Sequence, residues 1–158
     1  MPKLYEIPFL YDLAFRRLGI GNHVDALIEC HDRLRSEYKL QSILELASGP
    51  GRHALEFAYR NYRAAVVDSS QEMCQYAAKI AAGNNLELNV NCLDMRDFSI
   101  AEKFDLAMIM LNSIGHVHST EDLDRHIETV WRHLNPHGLY VIEAHYPPWR
   151  DAEALKVS

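Results

Sequence analysis

Apolar positions in this chain come in short continuous runs separated by longer stretches of helical spacing. Runs over 42–46, 64–68, 86–92, 104–110 and 138–144 are bounded by Gly, Pro, Asn and Asp. Such runs read as strands buried on both faces. Between them, apolar residues recur every three or four positions over 52–60, 70–82 and 120–134, which predicts helices. Ser70-x-Glu72 and Ser119-Thr120-Glu121-Asp122 supply the side-chain oxygen and acidic first turn that helix starts favour. An earlier helix is expected from Asn22, as N-cap, to about Tyr38, with Val24, Leu27, Ile28 and Leu34 as its apolar stripe. Ahead of it, an aromatic-rich segment from Leu4 to Phe15 breaks at Gly19-Ile20-Gly21. Trp131 and Leu134, on the last helix, read as core. Strands alternating with helices across short turns predict a parallel sheet covered on both faces.

The junction at residues 43–51, Ile-Leu-Glu-Leu-Ala-Ser-Gly-Pro-Gly, carries the first functional signal. An apolar strand stops at a turn of small residues, and a helix opens at Arg52. Gly49 and Gly51 permit a tight turn and close approach of a ligand to the backbone. The following helix aims unpaired N–H groups and the positive end of its dipole at the same place. The next strand ends in Asp68, placed to accept hydrogen bonds from ribose hydroxyls. The third ends in Asp94-Met95, where a carboxylate and an apolar thioether suit an adenine amino group and face. The plainer alternative is that both acids only cap the turns that follow their strands.

With these segments the chain resembles the class I S-adenosylmethionine-dependent methyltransferases. The family's first motif is matched by Glu45-Leu-Ala47-Ser-Gly49-Pro-Gly51, its ribose acid by Asp68, and its adenine segment by Asn91 to Asp97. Its fourth strand is matched by Phe104 to Met110, and its fifth by Leu134-Asn-Pro136-His-Gly138 through Glu143. Ala47 stands where the family usually has its first glycine. The resemblance implies a Rossmann-like, doubly wound α/β sheet of order 3-2-1-4-5 with N-terminal helices, and ligand at the carboxyl ends of strands 1, 2 and 4. It implies S-adenosylmethionine as cofactor and places Glu45, Ala47, Gly49, Gly51, Asp68, Ser69, Met73, Asp94, Met95 and Asn112 about it.

A dinucleotide site is the rival, because Gly49-Pro50-Gly51-Arg52-His53-Ala54 also fits Gly-x-Gly-x-x-Gly/Ala. That alternative is an NAD(P)-dependent oxidoreductase. Glu45 argues against it: an acid at the strand's end welcomes a methionine ammonium and repels a pyrophosphate. Burial of that acid demands a partner, and Arg52 or a backbone amide would serve as well as a ligand amine. Met73 could pack on adenine or in the core.

Composition narrows the class. The chain has 158 residues, 48% of them apolar, which suits one globular domain. We expect 1–40 to form a helical cap, 41–146 the cofactor-binding core and 147–158 a tail. No run approaches a membrane span and Met1-Pro2-Lys3 opens no secretory signal. Cys30, Cys74 and Cys92 show no Cys-x-x-Cys spacing and read as buried, reduced thiols of a cytoplasmic protein. A net charge of −6 lacks the basic footprint of a general nucleic-acid binder, so a small-molecule acceptor is the expectation.

The acceptor side rests on Leu111 to His118, after the fourth strand. Asn112 and Ser113 could hydrogen-bond substrate or cofactor. On a strand His116 and His118 would share a face; His116 is the candidate base, with no third metal ligand nearby and hence no metal expected. His145-Tyr146 faces the pocket mouth, and Tyr5 and Tyr11 resemble the N-terminal aromatics with which related enzymes cover the cofactor. Relatives continue through a last helix and a two-strand hairpin, which is absent here. The chain therefore reads as a piece of a longer protein or as one whose fifth strand is covered by another copy, and a non-catalytic partner module is a further alternative.

Overall fold

A computed structural model describes residues 6–145. Tyr5, Tyr146 and the tail 147–158 lie outside the described residues. In chain order the elements are α1 (Pro8–Ala14), α2 (Ile20–Leu34), β1 (Ser42–Leu46), α3 (Arg52–Tyr59), β2 (Arg63–Asp68), α4 (Gln71–Gly83), β3 (Asn89–Cys92), β4 (Phe104–Ile109), α5 (Thr120–Arg132) and β5 (Leu134–Ile142). The strands form one parallel sheet of order β3-β2-β1-β4-β5. This is the doubly wound Rossmann-like arrangement that the alternating pattern and the resemblance led us to expect. No described helix is long and apolar enough to cross a membrane.

β1 is buried along its whole length, because it lies between β2 and β4 and both sheet faces are covered. Leu44 and Leu46 join Val67, Ile109, Phe98, Phe104 and Val130 in one core. Ile43 joins Val24, Leu27, Phe57, Val66 and Met108 in the other. Chain connections leave β1 toward β2 on one side, while β4 closes the other, so a crevice opens at the carboxyl ends of β1 and β4. The amino ends are tied by Asp105, whose carboxylate accepts from Gln41 N and Ser42 N at 3.0 Å, Ser42 Oγ at 2.8 Å and Asn135 Nδ2 at 2.7 Å. Burial opposes its ionisation, yet bonds from Asn135, Ser42 and Gln41 hold the carboxyl below the usual range.

Several expectations need correction. α2 starts at Ile20, two residues before Asn22, and Asn22 does not cap it. The helix ends at Leu34, which is 59% exposed. Its buried face is Val24, Leu27 and His31, and the chain turns away to bring Leu40 into the core instead. β3 is only Asn89–Cys92, since Leu86 N still bonds to Ala81 O at the end of α4. Trp131 is 74% exposed, not core: α5 turns His126, Thr129 and Val130 inward, and Trp131 points outward beside them. Leu134 is buried but opens β5 rather than closing the helix. Of the cysteines only Cys74 is buried; Cys92 is exposed.

β5 begins earlier than expected because the Leu-Asn-Pro-His-Gly turn is absorbed as an irregularity within the strand. Phe104 pairs with Leu134 and Leu106 with Leu139, so extra β5 residues bulge between them. His137 takes a positive φ of 70° there. A Cβ on Gly138 would lie 3.0 Å from both Asn135 O and Phe104 O. Among the described residues no strand pairs with the outer edge of β5 and no hairpin follows it.

Gly138→Ala should cost about 2 kcal/mol, as overpacking against main chain does, and Trp131→Ala less than about 0.5 kcal/mol. Urea unfolding checks both, and a larger loss for Trp131→Ala would show that this face is packed in solution.

Candidate functional site

The turn after β1 is built from backbone that side chains resist. Ala47, Gly49 and Gly51 all have positive φ, at 48°, 54° and 70°. Gly51 occupies the left-handed position before α3, and a Cβ there would meet Val66 Cγ1 at 3.4 Å and Ala77 Cβ at 3.5 Å. Its glycine is required for packing and turn geometry, and it does not line the cleft. Gly49 does line it, beneath the Tyr11 ring, whose Cε1 would lie 3.7 Å from a Cβ at that position. Ala47 adopts the left-handed conformation without being glycine, at a cost on the order of 1 kcal/mol.

Asp68 couples this turn to the next. One carboxylate oxygen accepts from Gly49 N at 2.6 Å and the other from Ser70 N at 2.8 Å. A carboxylate oxygen can accept more than one hydrogen bond, so the pair can still meet a diol. Ser69 lines the cleft beside it, whereas Met73 is fully buried and does not. Met73 is core; its amide donates to the Ser70 hydroxyl at 3.3 Å, as the helix cap predicted.

The cleft holds about 500 Å³ and runs from Asp68 across the Asp94-Met95 segment to Ser113, His116 and His118. Asp94 is not free to await an adenine amino group. Arg96 grips it through Nη2 at 2.6 Å and Nε at 3.0 and 3.1 Å, and reaches Asp122 at 3.2 Å. Hydrogen bonds from Arg96 thereby hold the Asp94 carboxyl below its ordinary range. Sequence reasoning missed Arg96, although its position two residues from an acid was a signal for such a clamp. Met95 is braced from behind. Its carbonyl accepts from His126 Nδ1 at 2.8 Å, and Tyr140 Oη lies 2.6 Å from His126 Nε2. Burial pushes the His126 pKa down, so the ring is neutral, with the proton on Nδ1 and the tyrosine donating to Nε2.

The loop after β4 is strained. Leu111 and Asn112 have φ of 56° and 59° in succession, conformations that a leucine rarely holds. Leu111 N donates to Glu143 Oε2 and His145 N to Asn112 Oδ1, each at 3.0 Å. Neither Asn112 nor His145 lines the cleft; they fasten the ends of β4 and β5 together. Ser113–His116 is a 3₁₀ turn, so His116 and His118 do not share a strand face, but both line the cleft.

A narrow cavity of about 20 Å³ opens off the cleft, sharing Tyr11, Ala47, Leu111 and Ser113 with it. Its inner wall includes Glu45, Ser48 and His53. Glu45 is 3% exposed and accepts from His53 Nδ1 at 2.9 Å and Ala54 N at 2.8 Å. Its partners are thus His53 and a backbone amide, not Arg52, which instead binds Asp12 and the carbonyls of Asp12 and Phe15. The buried Ser48 hydroxyl has no hydrogen-bond partner among the described residues. An acidic end with an unsatisfied hydroxyl, a carboxylate on the cleft wall and an apolar Met95 wall fit an adenosyl amino acid.

Residues 43–138 match the methyltransferase domain family. A dTDP-3-amino-3,4,6-trideoxy-alpha-D-glucopyranose N,N-dimethyltransferase of Streptomyces venezuelae is 31% identical over 92% of this chain and 59% of its own length. Among solved structures, an S-adenosylmethionine-dependent methyltransferase of Clostridium acetobutylicum superposes with a TM-score of 0.76 at 25% identity, over 86% of this chain and 55% of that one. The sugar N-methyltransferase KedS8 of Streptoalloteichus does so with a TM-score of 0.75 at 26% identity, over 87% and 54%. The chain spans a little over half the length of the curated relatives it matches.

Asp68→Asn should weaken S-adenosylhomocysteine binding at least about tenfold, the cost of losing a charged acceptor, as calorimetry would read. Because the folded His126 pKa lies below its unfolded value, the neutral ring favours the fold above about pH 6.5, and that advantage fades as pH falls. Thermal melts from pH 7.5 to 5.5 should therefore drop more steeply for the wild type than for His126→Gln; parallel slopes would contradict the assignment.

Proposed function

Because the chain belongs to the methyltransferase domain family of S-adenosylmethionine-dependent enzymes, we propose that it transfers the cofactor's methyl group to the amine of a small, nucleotide-linked amino sugar. The observation that carries this reading is Asp68, held by the Gly49 and Ser70 amides at the wall of the cleft. The acceptor class is supported by the amino-sugar N,N-dimethyltransferase aligned over 92% of the chain. The nicotinamide alternative gives way to family membership.

Bound in the cleft, the cofactor supplies a methyl carbon already activated by its sulfonium. The protein's own task is then orientation and proximity. Asp68 accepts from the ribose hydroxyls through lone pairs that the two amides leave open. Met95, fixed through His126, offers an apolar wall to the adenine. Glu45 gives the narrow end a negative charge for the methionine ammonium. An amine attacks only in its neutral form, so a group at the mouth must take its proton, and His116, exposed and lining the cleft, is placed for that. Ser113 lines both cavities and can orient the acceptor beside the methyl donor.

Calorimetric titration with S-adenosylhomocysteine and with NAD tests the cofactor half: micromolar binding, about −8 kcal/mol, is expected for the first only. In a methyl-transfer assay with a dTDP-amino sugar, His116→Ala should lower turnover about 100-fold, within the range of a lost general base, with unchanged S-adenosylhomocysteine affinity. Equal turnover would remove His116 from the chemistry, and absence of transfer by the wild type despite tight binding would point to a non-catalytic partner module.

A further inference from the structure

His53 is used by nothing in the mechanism above, yet it is 1% exposed and sits against the acid of the narrow cavity. It bridges that acid to the surface. Nδ1 meets Glu45 Oε1 at 2.9 Å, and Nε2 lies 3.2 Å from Nδ1 of His23, a half-buried residue on α2. The rings of His23 and His53 stack with centroids 5.5 Å apart. Glu45 and His53 both line the narrow cavity, while His23 lines an open groove beside β5. A hydrogen-bonded line therefore runs from the inner end of the ligand site to solvent.

The charges around His53 come from every element packed on it. Glu45 lies on β1, His23 on α2, Glu143 past the end of β5 and Arg52 beside it at the start of α3. Burial alone would lower its pKa, but the Glu45 carboxylate outweighs this, with help from Glu143 and against Arg52, so the net shift is upward. Without ligand, the Glu45 carboxylate favours a protonated ring, which compensates its charge. The unpartnered Ser48 hydroxyl in the same cavity marks a position where a polar group of a ligand would be accepted.

We propose that ligand binding here releases a proton: an ammonium entering the narrow cavity takes over the charge of Glu45, and His53 loses its proton through His23 to solvent. This rests on the reading of the cleft as an adenosyl amino acid site. The one bond that breaks is the His53 Nε2–H, whose electron pair stays on the ring. One positive charge replaces another beside Glu45, and the proton passes to buffer. Affinity for the cationic ligand must rise with pH, because deprotonating His53 in advance leaves the carboxylate uncompensated. The slope can reach about tenfold per pH unit when one whole proton is released.

The test is calorimetry with S-adenosylhomocysteine at neutral pH in buffers of different ionisation enthalpy, with 5′-methylthioadenosine, which lacks the amino acid, as comparison. We expect S-adenosylhomocysteine to release a fraction of a proton and to bind three- to tenfold more tightly at pH 8 than at pH 6. Methylthioadenosine should bind with no proton release and a flat profile. His53→Gln should abolish the release and flatten the profile. Proton uptake, no exchange, or equal release with both ligands would overturn the linkage while leaving the cofactor reading intact. Binding of neither ligand would remove the cofactor reading and the linkage with it. The wild-type comparison decides the question even if His53→Gln does not fold.

Discussion

A carboxylate buried at the carboxyl end of the central strand is the constraint on which the rest of this site depends. Glu45 sits between β2 and β4 and is almost wholly buried, and an uncompensated charge there would cost several kcal/mol. The fold compensates it from one element. Ala54 N, in the first turn of α3, and His53, one residue earlier, both point back at it. That pins the start of α3 over the end of β1, and residues 47–51 close the gap in a compact turn with Ala47, Gly49 and Gly51 at positive φ. The turn after β1 is therefore shaped as much by neutralising Glu45 as by its glycines.

The same helix start holds the covering segment. Arg52 looks outward and binds Asp12 along with the carbonyls of Asp12 and Phe15, while Tyr76 Oη reaches the other Asp12 oxygen at 3.2 Å. α1 buries none of its own residues. Its place over the cleft thus depends on polar contacts, and these bring Tyr11 above Gly49 and into the walls of both cavities. Phe9, Leu10 and Leu13 remain exposed on its outer side.

The strands, the two glycine positions and the acids at the ends of β1, β2 and β3 were legible because each follows from short-range pattern: a buried run, a turn that needs small residues, a polar residue where the run ends. The strand order came from the family resemblance. Partners were much less legible. Nothing local says that His126 reaches the carbonyl of Met95 across 31 residues, or that His53 answers Glu45. Those bonds depend on how α5 and α3 pack, which periodicity constrains only as a face. Trp131 shows the same limit from the other side. Hydrophobicity alone placed it inside, but the inward face of α5 is set by His126 and Thr129, which have hydrogen bonds to make there.

Backbone strain gathers around the cleft in a way that ties these parts together. Asn61 and Asn85 hold positive φ in the turns after helices, where asparagine is at ease. Ala47 and Leu111 do so at the carboxyl ends of β1 and β4, facing the same crevice. Such conformations persist only where surrounding bonds over-determine them. For Leu111 the bond comes from Glu143, whose own amide donates to Ile109 O at 2.9 Å. Glu143 also adds to the field that favours a proton on His53. β5 therefore does more than complete the sheet: the residues that follow it brace the strained loop that carries Ser113 and His116, and Glu143 supplies part of the charge balance at the buried end of the narrow cavity.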